Sequence, residues 1–208
     1  MIALTAIMVG IGMPSTSRAA QSSIAPTLLV LGDSISAEYG LSRDSGWVKL
    51  LDIRLRKEGL GYGVVNASIS GETTSGGLSR IDELLSRVHP AIVIVELGGN
   101  DGLRGLSLSS TEQNLGAIIT RSEKAGAAVL LIGMQLPPNY GKAYTDRFAA
   151  IFATASKRYK TALTPFFFSG FADRYDLFQA DRIHPTEAAQ VRLLDNVWPT
   201  LRPLLTRK

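Results

Sequence analysis

The chain contains no cysteine. That excludes disulfides, thiolate nucleophiles and a lipid-modified N-terminal cysteine. Histidine is nearly as scarce. There are two, His89 and His184, well separated in sequence, which leaves no H-E-x-x-H pattern and argues against a metal site. Glycine-rich phosphate loops are also missing after residue 20, since neither G-x-G-x-x-G nor G-x-x-x-x-G-K-[ST] occurs there. The G-x-S-x-G nucleophile elbow is absent as well. No block of like charges appears, and the net charge of +4 is scattered. A scattered excess of this size serves solubility and leaves no nucleic-acid footprint.

What remains is an ordinary globular composition. Of the 208 residues, 45% are hydrophobic and 19% charged, enough apolar material for one domain with a substantial core. The first twenty residues stand apart. "IALTAIMVGIGM" is unbroken apolar sequence followed by "PSTSRAAQSS". An apolar segment too short to span a bilayer comfortably, followed by small residues, reads as a secretory signal over residues 1–20, with cleavage near Ala19 or Ala20. No Lys or Arg precedes the apolar run, and a buried N-terminal helix is the alternative. A signal implies a periplasmic or secreted protein with no stable membrane span after its removal.

Residues 27–206 alternate short apolar runs with amphipathic stretches. Strands are expected over "TLLVLG" (27–32), "GVVNAS" (63–68), "AIVIVELG" (91–98), "AAVLLIGM" (127–134) and "LTPFFF" (163–168). Each is nearly continuous in apolar residues, as in strands covered on both faces. Between them, Trp47, Leu50, Leu51 and Leu55 form one helical face, closed by Gly59. Ile81, Leu84, Leu85 and Val88 form a second, ending before Pro90. A third helix follows the capping residues of "SSTEQ", a fourth covers 142–160, and a fifth covers 186–205, with Pro199 expected to kink it. Repeated strand–helix–strand units give right-handed crossovers and a parallel sheet. The expectation is one α/β domain, a three-layer α/β/α sandwich around a five-stranded parallel sheet in flavodoxin-like order.

Ligands of such sheets sit beyond the carboxyl ends of the strands. The residues found there are Gly32-Asp33-Ser34 after the first strand, Ser70-Gly71-Glu72 beyond the second, and Gly99-Asn100-Asp101 after the third. Asp181-Arg182-Ile183-His184-Pro185 stands near the C-terminus. A serine, an imidazole with an acid three residues upstream, a side-chain amide and a glycine N–H are the parts of an acyl-transfer site. His184 could take the proton of Ser34 while Asp181 holds the useful tautomer. Asn100, Gly71 and the Ser34 amide could meet the developing oxyanion. His89 precedes the third strand and belongs at the opposite edge, as a solvated loop residue. Taken alone, Asp181-x-x-His184 reads more simply as a cap and a surface histidine, and Asn100 and Gly71 as turn residues.

In this order, the fragments resemble the SGNH (GDSL) hydrolase family, from about residue 27 to 205. The strings "VVNASISGET", "VELGGNDGLRG" and "LPPNYG" are similar to its bacterial thioesterase, lysophospholipase and arylesterase members. The resemblance implies Ser34 as nucleophile, His184 as base and then acid, and Asp181 as its orienting carboxylate. It implies an oxyanion hole of Gly71, Asn100 and the Ser34 amide, and a segment Gly102–Ser107 that moves over the acyl chain. Asp33, by position, braces the turn that presents Ser34. Leu103, Leu106 and Leu136, with Gly102, are candidates for the acyl groove. The expected activity is hydrolysis of small-molecule acyl esters and thioesters, with no cofactor and no metal, by a monomer. The alternatives are a carbohydrate O-acetyl esterase or a catalytically silent binding domain.

Overall fold

The computed structural model describes residues 25–206. The signal assignment over residues 1–20 lies outside the described residues. Five strands are formed: β1 (Thr27–Gly32), β2 (Gly63–Asn66), β3 (Ile92–Glu96), β4 (Ala128–Ile132) and β5 (Ala162–Thr164). All pair in parallel, in the order β2-β1-β3-β4-β5. The chain therefore builds outward from β1 in both directions. The crevice between the carboxyl ends of β1 and β3 is the topological switch point, where the loops diverge and leave room for a ligand.

The central strands justify their apolar sequences, with every residue of β3 and nearly all of β1 and β4 buried. Strand β2 differs from expectation. It is an edge strand paired only with β1, and its four residues are half-buried or exposed. Expected strand ends also extended too far, because β5 stops at Thr164 and leaves Phe166–Phe168 beyond the sheet.

Helix α1 (Trp47–Lys57) packs against α6 (Gln190–Leu205). On the other side, α2 (Thr74–Val88) packs against α4 (Leu108–Lys124), and α4 against α5 (Lys142–Tyr159). A short helix, α3 (Gly99–Leu103), follows β3 and had no periodic signature to announce it. The cap of α4 is Ser107, whose side chain accepts from the Ser110 N–H at 3.3 Å, so the helix starts before the "SSTEQ" residues. Helix α6 continues through both Pro199 and Pro203. His89 is an exposed, left-handed cap ending α2, at the edge of the sheet remote from Ser34. Trp47, Phe148, Phe152, Phe167 and Phe171 are fully buried between sheet and helices. Among the described residues, no helix is long and apolar enough to cross a membrane.

Candidate active site

Strand β1 ends where the backbone must pass very close to another chain segment. A Cβ on Gly32 would lie 2.8 Å from Glu96 Oε2 and 2.8 Å from Ser36 Cβ, so only glycine fits. Beyond it the chain coils at once. The Ala37 N–H donates to the Asp33 carbonyl at 2.9 Å, and the Tyr39 N–H to the Ser34 carbonyl at 3.1 Å. Two buried carboxyl groups hold this turn. Asp33 Oδ1 accepts from the Ile35 N–H at 3.0 Å. Glu96, at the end of β3, accepts from Ser36 Oγ at 2.7 Å and from the Asp33 N–H at 3.3 Å. Trp47 Nε1 in turn donates to Ser36 Oγ at 3.1 Å, tying the turn to the core. Asp33 thus braces the turn, as its position suggested.

The same burial makes both acids reluctant to ionise. Desolvation pushes Asp33 from 3.8 up to about 6, against the lowering effects of the Ile35 N–H, His184 and the Asn100 amide. Glu96 is raised well above the usual carboxylate range, by its burial first and by the nearby Asp33 charge second. Glu96 was hidden in the sequence inside the apolar run "IVIVELG". A charged residue in such a run is itself the signal that could have found it.

Ser34 and His184 are 150 positions apart, and the fold brings them into contact. His184 Nε2 lies 2.9 Å from Ser34 Oγ, and His184 Nδ1 lies 2.6 Å from Asp181 Oδ2. The other Asp181 oxygen accepts from the Ile183 and His184 N–H groups at 2.9 and 3.1 Å. Partial burial pushes the Asp181 pKa up, but those two N–H groups and the imidazole outweigh it and hold the carboxyl below its ordinary value. The histidine loop is anchored at both ends. The Gln179 N–H donates to the His184 carbonyl at 2.8 Å, and the Thr186 N–H to the Leu177 carbonyl at 2.8 Å. Gln179 Nε2 also donates to the Tyr39 carbonyl at 2.8 Å, linking the histidine loop to the serine turn. The Tyr39 ring packs 4.5 Å from the His184 ring. Tyr39 had no distinguishing feature in the sequence.

Of the three expected oxyanion donors, Ser34 and Asn100 line the cleft and Gly71 does not. Gly98 begins α3 at φ 114°, a conformation reserved for glycine, and this aims Asn100 back toward β1. Asn100 Nδ2 donates to Asp33 Oδ2 at 3.1 Å and to the Glu72 carbonyl at 3.0 Å. Asp101, next along, is buried and accepts from the Thr74 N–H at 2.9 Å, which locks α3 onto the start of α2. Gly71 has φ 79°, and its carbonyl accepts from Arg104 at 3.0 Å. Among the described residues, the N–H groups of Gly71 and Ser34 have no protein acceptor.

From Ser34 and His184 a cleft of about 790 Å³ opens, with Leu103, Met134, Leu136, Phe166, Phe168 and Phe178 on its walls. Of the residues expected from sequence, Leu103 and Leu136 line it. Leu106 does not: it is 44% exposed and lies outside the cleft lining. Gly102 does not either. It is buried beneath the wall, where an added Cβ would meet Phe148 and Leu136 at 2.6 and 2.9 Å. The start of the Gly102–Ser107 segment is fastened by Tyr144, which donates to the Gly102 carbonyl at 3.1 Å, and by Tyr140, which donates to the Leu103 carbonyl at 3.0 Å. Phe166 and Phe168 were read as strand; they are cleft wall because β5 ends early. Among the described residues, no group of three or more His, Asp or Glu side chains is arranged to hold a metal ion.

Fold and side chains together define a class: three-layer α/β proteins with a serine, histidine and aspartate in hydrogen-bonded order at the carboxyl edge of a parallel sheet. The chain belongs to the GDSL-like Lipase/Acylhydrolase family, whose pattern matches residues 30–192. It is 54% identical over 185 residues to esterase TesA of Pseudomonas aeruginosa, covering 89% of this chain and 92% of that one. It is 41% identical to thioesterase 1/protease 1/lysophospholipase L1 of Escherichia coli, covering 89% and 88%. Among solved structures, it resembles the psychrotrophic esterase EstA from Pseudoalteromonas sp., inhibited by monoethylphosphonate. That match has a TM-score of 0.82 at 40% identity and covers 87% of this chain and 99% of that one.

Proposed function

We propose that the protein is a serine hydrolase that cleaves acyl esters and thioesters through a covalent acyl-enzyme. The observation that carries this reading is the unbroken contact from Asp181 through His184 to Ser34 at the mouth of an apolar cleft. Ser34 Oγ attacks the acyl carbonyl while its proton passes to His184 Nε2. Asp181 keeps the Nδ1 proton in place and stabilises the imidazolium. His184 then protonates the departing alcohol or thiol. Water, deprotonated by His184, attacks the acyl-serine and releases the acid.

The negative charge on the carbonyl oxygen appears only during reaction. The N–H groups of Ser34 and Gly71, which have no protein acceptor among the described residues, are free to donate to it. Asn100 supplies a third by turning one N–H from the Glu72 carbonyl to the oxyanion, while Asp33 retains the other. Donors that strengthen only in the transition state raise kcat rather than substrate affinity.

The aromatic and aliphatic cleft walls favour an acyl chain over a sugar ring, so an O-acetyl sugar is the weaker candidate. No cofactor enters any step. With the leader removed, the enzyme would work as a monomer in the periplasm or outside the cell. The test is hydrolysis of p-nitrophenyl esters from acetyl to palmitoyl, with matched thioesters and an acetylated sugar alongside. Turnover of esters and thioesters with medium or long chains is expected. Activity confined to the acetylated sugar, or none at all, contradicts the proposal.

A further inference from the structure

We infer that Arg182 and Tyr175 form a subsite for a phosphate carried on the leaving portion of the substrate, an inference that rests on the hydrolase reading above. Arg182 sits between two triad positions, Asp181 and His184. Among the described residues lining the cleft, it is the single lysine or arginine. Its guanidinium lies over the exposed Tyr175 ring, 4.9 Å from the centroid, which fixes the side chain at the rim without neutralising it.

The nearby acids are already engaged. Asp181 is held by His184 and Ile183, and Asp176 by Arg174 at 2.8 Å. Among the described residues, no carboxylate lies within ion-pair reach of Arg182. A guanidinium held at a cleft rim with no anionic partner is prepared for an anion from outside.

The backbone makes the same point. Arg182 adopts φ 58°, in the left-handed region, and its N–H closes a turn onto the Gln179 carbonyl at 2.9 Å. Glycine would satisfy this conformation without strain; here a long cationic side chain occupies it.

The direction follows from solvation. A phosphate cannot enter the apolar walls that receive the acyl chain, so it must lie on the other side of the scissile bond, at the rim. Two substrate types carry such a group: lysophospholipids, through their phosphodiester, and acyl-CoA thioesters, through the phosphates of the leaving thiol.

The experiment compares kcat/KM of wild type, R182Q and R182G at low ionic strength. The substrates are lauroyl lysophosphatidylglycerol, lauroyl-CoA and the neutral p-nitrophenyl laurate. R182G guards against a folding defect, because glycine suits the turn. The expected result is that the ratio of each phosphate-bearing substrate to the neutral one falls about fivefold in both variants, the size of an exposed charge pair. Added salt should erase the wild-type advantage. A fall for one phosphate substrate alone supports the subsite and identifies its source. Unchanged ratios, or parallel losses on all three substrates, overturn it. A wild type inactive on the neutral ester overturns the hydrolase reading itself, and the subsite with it.

Discussion

Replacing Asp33 by asparagine separates the two roles of its carboxyl group. One role is geometric, since its two oxygens accept from the Ile35 N–H and from Asn100 Nδ2. The other is electrostatic, since burial raises its pKa from 3.8 to about 6. Between those values the folded protein holds a proton that the unfolded chain has released. Wild-type stability therefore falls as pH rises through this window. A shift of about two units at 1.36 kcal/mol each amounts to about 3 kcal/mol lost by neutral pH. Asparagine has no such titration, and removing the charge also relieves Glu96. Its amide has only one oxygen, however. Whichever way it is placed, an NH₂ opposes either the Ile35 N–H or the Asn100 NH₂, at a cost of about 1–3 kcal/mol at every pH. Denaturant titrations at pH 4 and pH 7 should therefore show the difference between variant and wild type moving by about 2 kcal/mol in favour of D33N, part of the loss having already occurred by pH 4. Turnover of a p-nitrophenyl ester should nevertheless fall about 10²-fold, because either Asn100 loses its anchor or the turn presenting Ser34 loses the Ile35 bond. Parallel stability curves across that pH range, or full activity in D33N, would refute the reasoning.

Three further variants test neighbouring parts of the account. N100A should lower kcat about 10²- to 10³-fold with little change in KM, measured by steady-state ester hydrolysis, since the charge it meets arises only on reaction. D181N should leave folding intact by circular dichroism yet reduce kcat about 10³- to 10⁴-fold, because the amide favours the wrong imidazole tautomer. G32A should destabilise the protein by about 1–3 kcal/mol in denaturant unfolding, since the added methyl has no room beside Glu96 and Ser36.

Much of the architecture was legible because both-face burial writes itself into sequence. The run Thr27–Gly32 was read with the bounds the strand has, and the alternation with helices implied the parallel sheet. Edge strand β2 looked covered because Val64 and Val65 are apolar, but an edge has only one strand neighbour to bury it. The α4 cap was missed because several serines precede the helix and only geometry selects Ser107. The segments carrying Ser34, Asp181 and His184 could be singled out because strand-end logic narrows the candidates, but their roles came from the resemblance of their order to the SGNH family. The cleft wall was legible only in part. Leu103 and Leu136 were expected there, but Phe166, Phe168 and Phe178 come from the irregular stretch between β5 and α6, where no periodicity marks them. Phe166 and Phe168 face the cleft while Phe167 is buried, an alternation that resembles a strand although the strand has ended. Glu96 was overlooked for the opposite reason: it sits inside a strand whose other residues are all apolar.

The most direct test of the central claim is covalent labelling with a fluorophosphonate, read by intact mass and peptide mapping. The account predicts one stoichiometric adduct on the peptide carrying Ser34, slowed by H184A and absent from folded S34A. An adduct on another residue, or undiminished labelling of S34A, would contradict it.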